Sequence, residues 1–120
     1  MDKNSILNEI KLIEKKHGIK LPGKYKEFLS EEVMDNDFYE IERGNGDFVY
    51  IFNYKDVSER NETYNIQKIE SDYFLIGQDG DLGYFVYLKD NDNKIYSLDL
   101  GALGSLDMDE EAKDLYDLSS

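Results

Sequence analysis

The sequence predicts a single α+β domain over residues 1–120: two N-terminal helices and a short C-terminal helix on a mainly antiparallel, mixed sheet of five to six strands. Three observations carry this. Apolar residues recur at helical spacing through the first 34 positions. From 37 to 100 they fall in short alternating runs broken by Gly, Asn and Asp. Helices precede the strands instead of alternating with them, the order of an α+β chain and not of a βαβ repeat. A chain of 120 residues suits one domain. It buries roughly two-thirds of its unfolded surface, enough for a core without staples.

The elements follow in order. Ile6, Ile10 and Ile13 form one stripe, Asn4 or Ser5 can cap its start, and Gly18 stops it after Lys15, Lys16 and His17. Leu21-Pro22 opens a second helix with Pro at the first helical position, where its missing N–H has no partner to lose. Tyr25, Phe28 and Leu29 share a face, and the helix ends around Glu32–Met34, completing a helical pair over 1–34. "FYEIER" and "FVYIFN" flank the turn "GNGD", the second strand apolar on both faces and so expected between two covering layers. "YKDVSERNETYN" is polar and irregular, a short helical turn or a loop. "YFLIG" and "YFVYLK" flank "QDGDLG", and "NDN" turns into "KIYSLDL". "GALGSLDMDEE" leads to the closing helix over 108–118, with Ala112, Leu115, Tyr116 and Leu118 toward the sheet.

Composition removes several functions. There is no cysteine, so thiolate metal sites, disulfides and cysteine nucleophiles are out, which suits a reducing cytoplasm. The first residues have spaced apolar positions and an early acid, unlike a signal peptide or membrane span. The net charge is −13, the wrong sign for binding phosphates, so direct nucleic-acid contact is not expected. Residues 1–30 carry seven lysines and four acids, a net of +3, leaving −16 on the remainder. Such a surface suits a basic protein partner drawn in by long-range attraction.

Local motifs add no chemistry. His17 is the only histidine and has no nucleophile or orienting acid beside it in sequence. "GQDGDLG" lacks the Lys-Ser/Thr ending of a phosphate loop and leads into a strand, so it reads as a hairpin turn. Asp90 and Asp92 have calcium-loop spacing, but Ile95 and Gly101 stand where that loop needs Gly and Glu. Glu40 and Glu42 share a strand face and read as a solvated sheet edge. "NET" (Asn61 to Thr63) matches a glycosylation acceptor, without meaning in a chain that is not secreted. No cofactor, metal or catalytic group is implied. The aromatics are the less ordinary feature. Ten Tyr and six Phe concentrate in the strands, and alternation sends them to both faces of the sheet. Tyr beside acid is a common pairing at protein interfaces.

The string "IE…HGIKLP…YKEFL" (Ile13, Glu14, Gly18, Ile19, Leu21, Pro22, Tyr25, Phe28, Leu29) resembles the N-terminal signature of the SUKH superfamily. "FLIGQDGDLGYFVY" and "KIYSLDL" are similar to its later strands, in the same order. The Asn-Gly-Gly usual after the second helix is replaced here by "SEEVMDNDF". The resemblance implies helices packed on a mixed sheet and no catalytic residues. It also implies kinship with bacterial immunity proteins that neutralise a cognate toxin, often a nuclease or deaminase, and with fungal cell-wall regulators. The function expected is therefore non-enzymatic binding of a basic toxin through an acidic, Tyr-bearing surface. Its candidate residues are Asp79, Asp81, Asp90, Asp92, Tyr84, Tyr87, Tyr96, Asp107, Asp109, Glu110 and Glu111. The alternatives are a regulatory module with a housekeeping partner, and a small-molecule enzyme, which would need a deep pocket with convergent carboxylates. Oligomeric state is left open, since edge strands permit sheet pairing. Charge reversal at Lys15 and Lys16 should weaken partner binding far less than neutralising the acids after residue 70, as measured by titration of each variant with the partner.

Overall fold

In the computed structural model, which describes residues 2–119, helix α1 spans Lys3–His17. Asp2 caps it, accepting from the Ser5 N–H at 2.8 Å, one turn before the cap expected at Asn4 or Ser5. Ile6, Ile10 and Ile13 are its buried stripe. Gly18 ends it at φ 64°, a left-handed conformation that glycine enters without a Cβ penalty. Pro22 is the N-cap of α2 (Gly23–Phe28) and not its first helical residue, because its ψ of 146° is still extended. The Ser30 hydroxyl donates to Lys26 O at 2.8 Å, and the helix there widens into a π turn (Leu29–Val33) that stops at Met34.

Six strands follow: β1 (Tyr39–Glu42), β2 (Phe48–Ile51), β3 (Tyr73–Asp79), β4 (Leu82–Tyr87), β5 (Ile95–Asp99) and β6 (Asp109–Ala112). They lie side by side in chain order, and every pairing is antiparallel. The sixth strand replaces the closing helix expected over 108–118. β5 offers an open row of backbone donors and acceptors, and pairing Ile95 with Ala112, Tyr96 with Glu110 and Ser97 with Asp109 satisfies it. The apolar anchors keep their role, since Ala112, Leu115 and Leu118 are buried even though the segment is a strand and turns.

Directly paired residues of neighbouring strands share a face. One face therefore carries Tyr39, Ile41, Val49, Ile51, Phe74 and Val86. The helices lie here: the Phe28 ring meets Tyr39 edge-on at 5.6 Å, and His17 meets Phe74 at 5.8 Å. The other face carries Tyr73, Leu75, Phe85, Tyr87 and Tyr96. Its centre is covered too. Residues 100–104 fold back over it, so closely that a Cβ on Gly83 would lie 2.8 Å from Leu100 Cδ2. Gly104 N–H then bonds to Glu70 Oε2 at 2.7 Å. Leu75 and Phe85 are fully buried as a result. The cover does not reach β2. Phe48 stays 50% exposed, so that strand is apolar-buried on one face only and not on both as expected.

The polar stretch between β2 and β3 folds into α3 (Val57–Thr63) and α4 (Ile66–Ile69). These helices complete the sheet through one side chain. β2 pairs with β3 only at Gly77 and Gln78, beyond which Phe52 N–H reaches Ile76 O, leaving the edge at Leu75 without a neighbour. Asn61 fills the gap. Its Nδ2 donates to Leu75 O at 2.8 Å and to Val57 O at 2.9 Å. Its Oδ1 accepts from Leu75 N–H at 2.8 Å and from Gln67 Nε2 at 3.2 Å. The amide uses both donors and both lone pairs, and it is buried. Asn61→Ala leaves the Leu75 amide and carbonyl buried without partners, at about 1–3 kcal/mol each. A loss of about 2–5 kcal/mol in urea unfolding is expected; a loss under about 0.5 kcal/mol would refute the strand-mimic role.

Candidate functional site: an acidic end and a tyrosine end

The antiparallel meander brings alternate turns to the same end of the sheet. The β1–β2 turn, the β3–β4 turn and the end of β5 together gather Glu42, Asp47, Asp79, Asp81 and Asp99. The start of β6 adds Asp107 and Asp109. Among the described residues no ion pair involves any of these seven carboxylates. Arg43, at the β1–β2 turn, is committed inward. Its guanidinium donates to Glu111 Oε1 at 3.0 Å and to Tyr84 OH at 3.2 Å, while Ser97 Oγ–H donates to Glu111 Oε2 at 2.6 Å.

That network takes up two of the expected contact residues. Tyr84 is buried on the helix-covered face, and Glu111 is spent on Arg43 and Ser97. Tyr84 presents almost no surface, while Glu111 stays partly exposed. The other candidates separate into two groups. Asp79, Asp81, Asp107 and Asp109 sit at the acidic end just described. Asp90, Asp92, Tyr87, Tyr96 and Glu110 sit at the opposite end, by the β4–β5 turn, where Asp90 and Asn91 hold positive φ.

At that second end Tyr73, Tyr87 and Tyr96 form a row across three strands, with ring centroids 5.4–6.5 Å apart. All three are half-buried. Three acids around them are paired. Tyr96 OH donates to Asp92 Oδ2 at 2.7 Å, Lys89 meets Asp72 at 3.2 Å, and Lys94 meets Glu110 at 3.4 Å. Burial, and then the hydrogen bond to Asp92, push the Tyr96 phenol well above the usual tyrosine range. The sequence reading missed Glu42, Asp47 and Asp99 as members of the acidic end and Tyr73 as the third ring. Turn order alone would have found the acids, because successive hairpins return to one end.

His17 also differs from its sequence context. The fold sets Ser58 Oγ 2.8 Å from its Nε2, a contact 41 residues away in sequence. This is a clamp between α1 and α3, since the nearest acid, Glu62, is held by Lys16. Two of the concave surfaces are open grooves. One of about 420 Å³ is lined by Phe38, Tyr50, Phe52, Arg60, Gln78 and Gly80. Another of about 410 Å³ runs beside β1. Among the described residues no group of three or more His, Asp or Glu is placed to hold a metal, and no helix is long and apolar enough to cross a membrane.

Helices packed on one face of a six-stranded antiparallel meander make this an α+β domain. The chain belongs to the SMI1 / KNR4 family (SUKH-1), whose model matches residues 7–119. This is a family of generally non-catalytic immunity and regulatory domains. Comparison with curated proteins gives no match.

Burial lowers the His17 pKa below 6.5 in the folded state, with Lys16 adding to the fall and Glu62 opposing it. The unfolded chain then binds the proton first, so stability falls as pH drops from about 6.5 toward the lower folded value and does not change above it. The stability advantage of the wild type over His17→Gln should shrink between pH 7.5 and 5.5 in urea titrations; a constant difference would refute the assignment.

Proposed function

We propose that this protein is a cytoplasmic immunity-type binding domain that neutralises a cognate basic toxin. The toxin acts on nucleic acid, and the acidic end covers the basic surface with which it would hold phosphate. The observation that carries this reading is the set of seven carboxylates at one sheet end, none of them ion-paired among the described residues. Unpaired acids keep their full field toward solvent, which steers an oppositely charged partner and makes association salt-sensitive. The tyrosine end supplies rigid, amphipathic contact area for the same partner. Membership of an immunity and regulatory family supports the class of function. The same membership keeps a regulatory module with a housekeeping partner as the second reading, and a toxin-bearing gene beside this one favours the first.

The test is a pulldown at low salt followed by kinetics on the captured partner. A cationic protein should be recovered, with co-purification of the neighbouring gene product the simplest form. Replacing Asp79, Asp81, Asp107 and Asp109 by Asn should slow association by roughly tenfold or more and flatten its salt dependence. Recovery of only neutral or acidic proteins would overturn the proposal.

A further inference from the structure

β1 is an outer strand, and its register fixes which backbone groups it leaves free. Arg43 N–H donates to Asp47 O across the hairpin at 2.7 Å, so this is a hydrogen-bonded pair. Bonded and non-bonded pairs alternate along an antiparallel ladder. Ile41–Val49 and Tyr39–Ile51 are then bonded pairs, and the N–H and C=O of Glu40 and Glu42 point away from β2. No turn, loop or helix among the described residues takes them up. These free groups face the groove of about 410 Å³ beside the strand. Its apolar wall is Phe28, Tyr39 and Tyr116, with the Phe28 ring 5.0 Å from Tyr116, and its acidic rim is Glu32, Glu40 and Glu42. Burial, and then Glu27, Glu31 and Glu32, push the Tyr116 phenol up to about 12, a sign of the negative field in this groove.

Two occupants could satisfy an open strand edge: a second copy of the chain, or a segment of another protein. The charges choose between them. A second β1 would set Glu40 and Glu42 against their own copies, and like charges directly opposite are destabilising. The other outer strand, β6, carries Asp109, Glu110 and Glu111, the last two held by Lys94 and Arg43, and offers β1 no free cation of its own. A cationic strand meets neither obstacle.

We propose that the free edge of β1 takes up an extended basic segment of the protein partner as a seventh strand, an inference that rests on the partner being cationic, as above. Strand geometry sets the pattern of that segment. Side chains opposite Glu40 and Glu42 point to the open face and are Lys or Arg. Those between them point to the helix side and are apolar or aromatic, entering beside Phe28 and Tyr116. The backbone bonds give affinity and the alternation gives selectivity.

The probe is a capped synthetic peptide, Gly-Lys-Val-Lys-Tyr-Lys-Val-Gly, with a Glu-for-Lys version as control. Amide exchange at Glu40 and Glu42 should slow by roughly tenfold on adding the Lys peptide and stay unchanged with the control. Glu42→Gln and Glu42→Pro carry the same charge, but only the second lacks the outward N–H. Proline is tolerated on an edge strand where the N–H faces outward, so β1 keeps its pairing with β2. Glu42→Pro should bind the Lys peptide roughly tenfold more weakly than Glu42→Gln. Equal binding by the two, or peptide binding without protection at Glu40 and Glu42, would overturn the proposal, as would a dimer in sedimentation that Glu42→Pro dissolves. A cationic partner that binds wild type and Glu42→Pro alike would sink the seventh strand and leave the proposed function standing. Peptide capture at β1 with no cationic protein recovered from cells would do the reverse.

Discussion

The sheet holds together because one buried amide stands in for a missing strand. β2 is only four residues long and parts from β3 after two paired positions. The backbone of Leu75 would then sit inside the protein with nothing to bond. Asn61 closes that gap, and much else hangs from it. Gln67 completes the amide's bonding and also caps Tyr73 O at 3.0 Å, which fixes α4 to the start of β3. Ser58, one turn before Asn61 on the same helix, holds His17 and so docks the end of α1. Phe74 lies beneath that contact and Leu75 on the opposite face, so both layers of the core are referred to a single side chain. An amide suits the place because it has a donor and an acceptor side by side, as a peptide unit does.

The helical pair was legible in the sequence because its signals are local. Gly18 supplies a left-handed stop, Pro22 a fixed φ at a start, and three isoleucines a stripe. The hairpin turns were legible for the same reason: "GNGD", "DGD" and "DND" carry residues that tolerate turn conformations. What could not be read was long-range. "DEEA" has no strand character of its own and becomes β6 because β5 presents an open edge. The α3–α4 stretch has no continuous apolar stripe: it sends Val57 and Ile66 into the core, and what it delivers to the edge of the sheet is the polar Asn61. The identity of Asn61 as a structural residue is invisible without knowing that Leu75 lies opposite it.

The candidate surface was legible to the same degree. Composition and position established that the excess of acid lies outside residues 1–30, which carry a net of +3. Counting could not say which acids are matched. Asp92, Glu110 and Glu111 look like Asp79, Asp81 and Asp109 in sequence. Yet the first three are engaged by Tyr96, Lys94 and Arg43, while the second three form no ion pair among the described residues. The distinction arises from strand register, which puts Lys89 and Lys94 at one end of the meander and leaves the other end without lysine. Tyr84 illustrates the same limit: it alternates with Phe85 along β4 like any strand tyrosine, and only the helix layer decides that its face is the covered one.

The burial of Asn61 also bears on what the motif Asn61-Glu62-Thr63 can carry. Asn61-Glu62-Thr63 satisfies the acceptor pattern for N-linked sugar, and oligosaccharide is transferred in secretory compartments to chains that have not yet folded. Attachment there would replace one of the two Nδ2 hydrogens, both of which are used in bonds to Val57 O and Leu75 O. It would also set a bulky hydrophilic group where the side chain has no solvent exposure to give it. A chain so modified cannot complete its sheet. The same three residues that a secretory pathway reads as an address for sugar are, in this fold, a requirement that the address never be used.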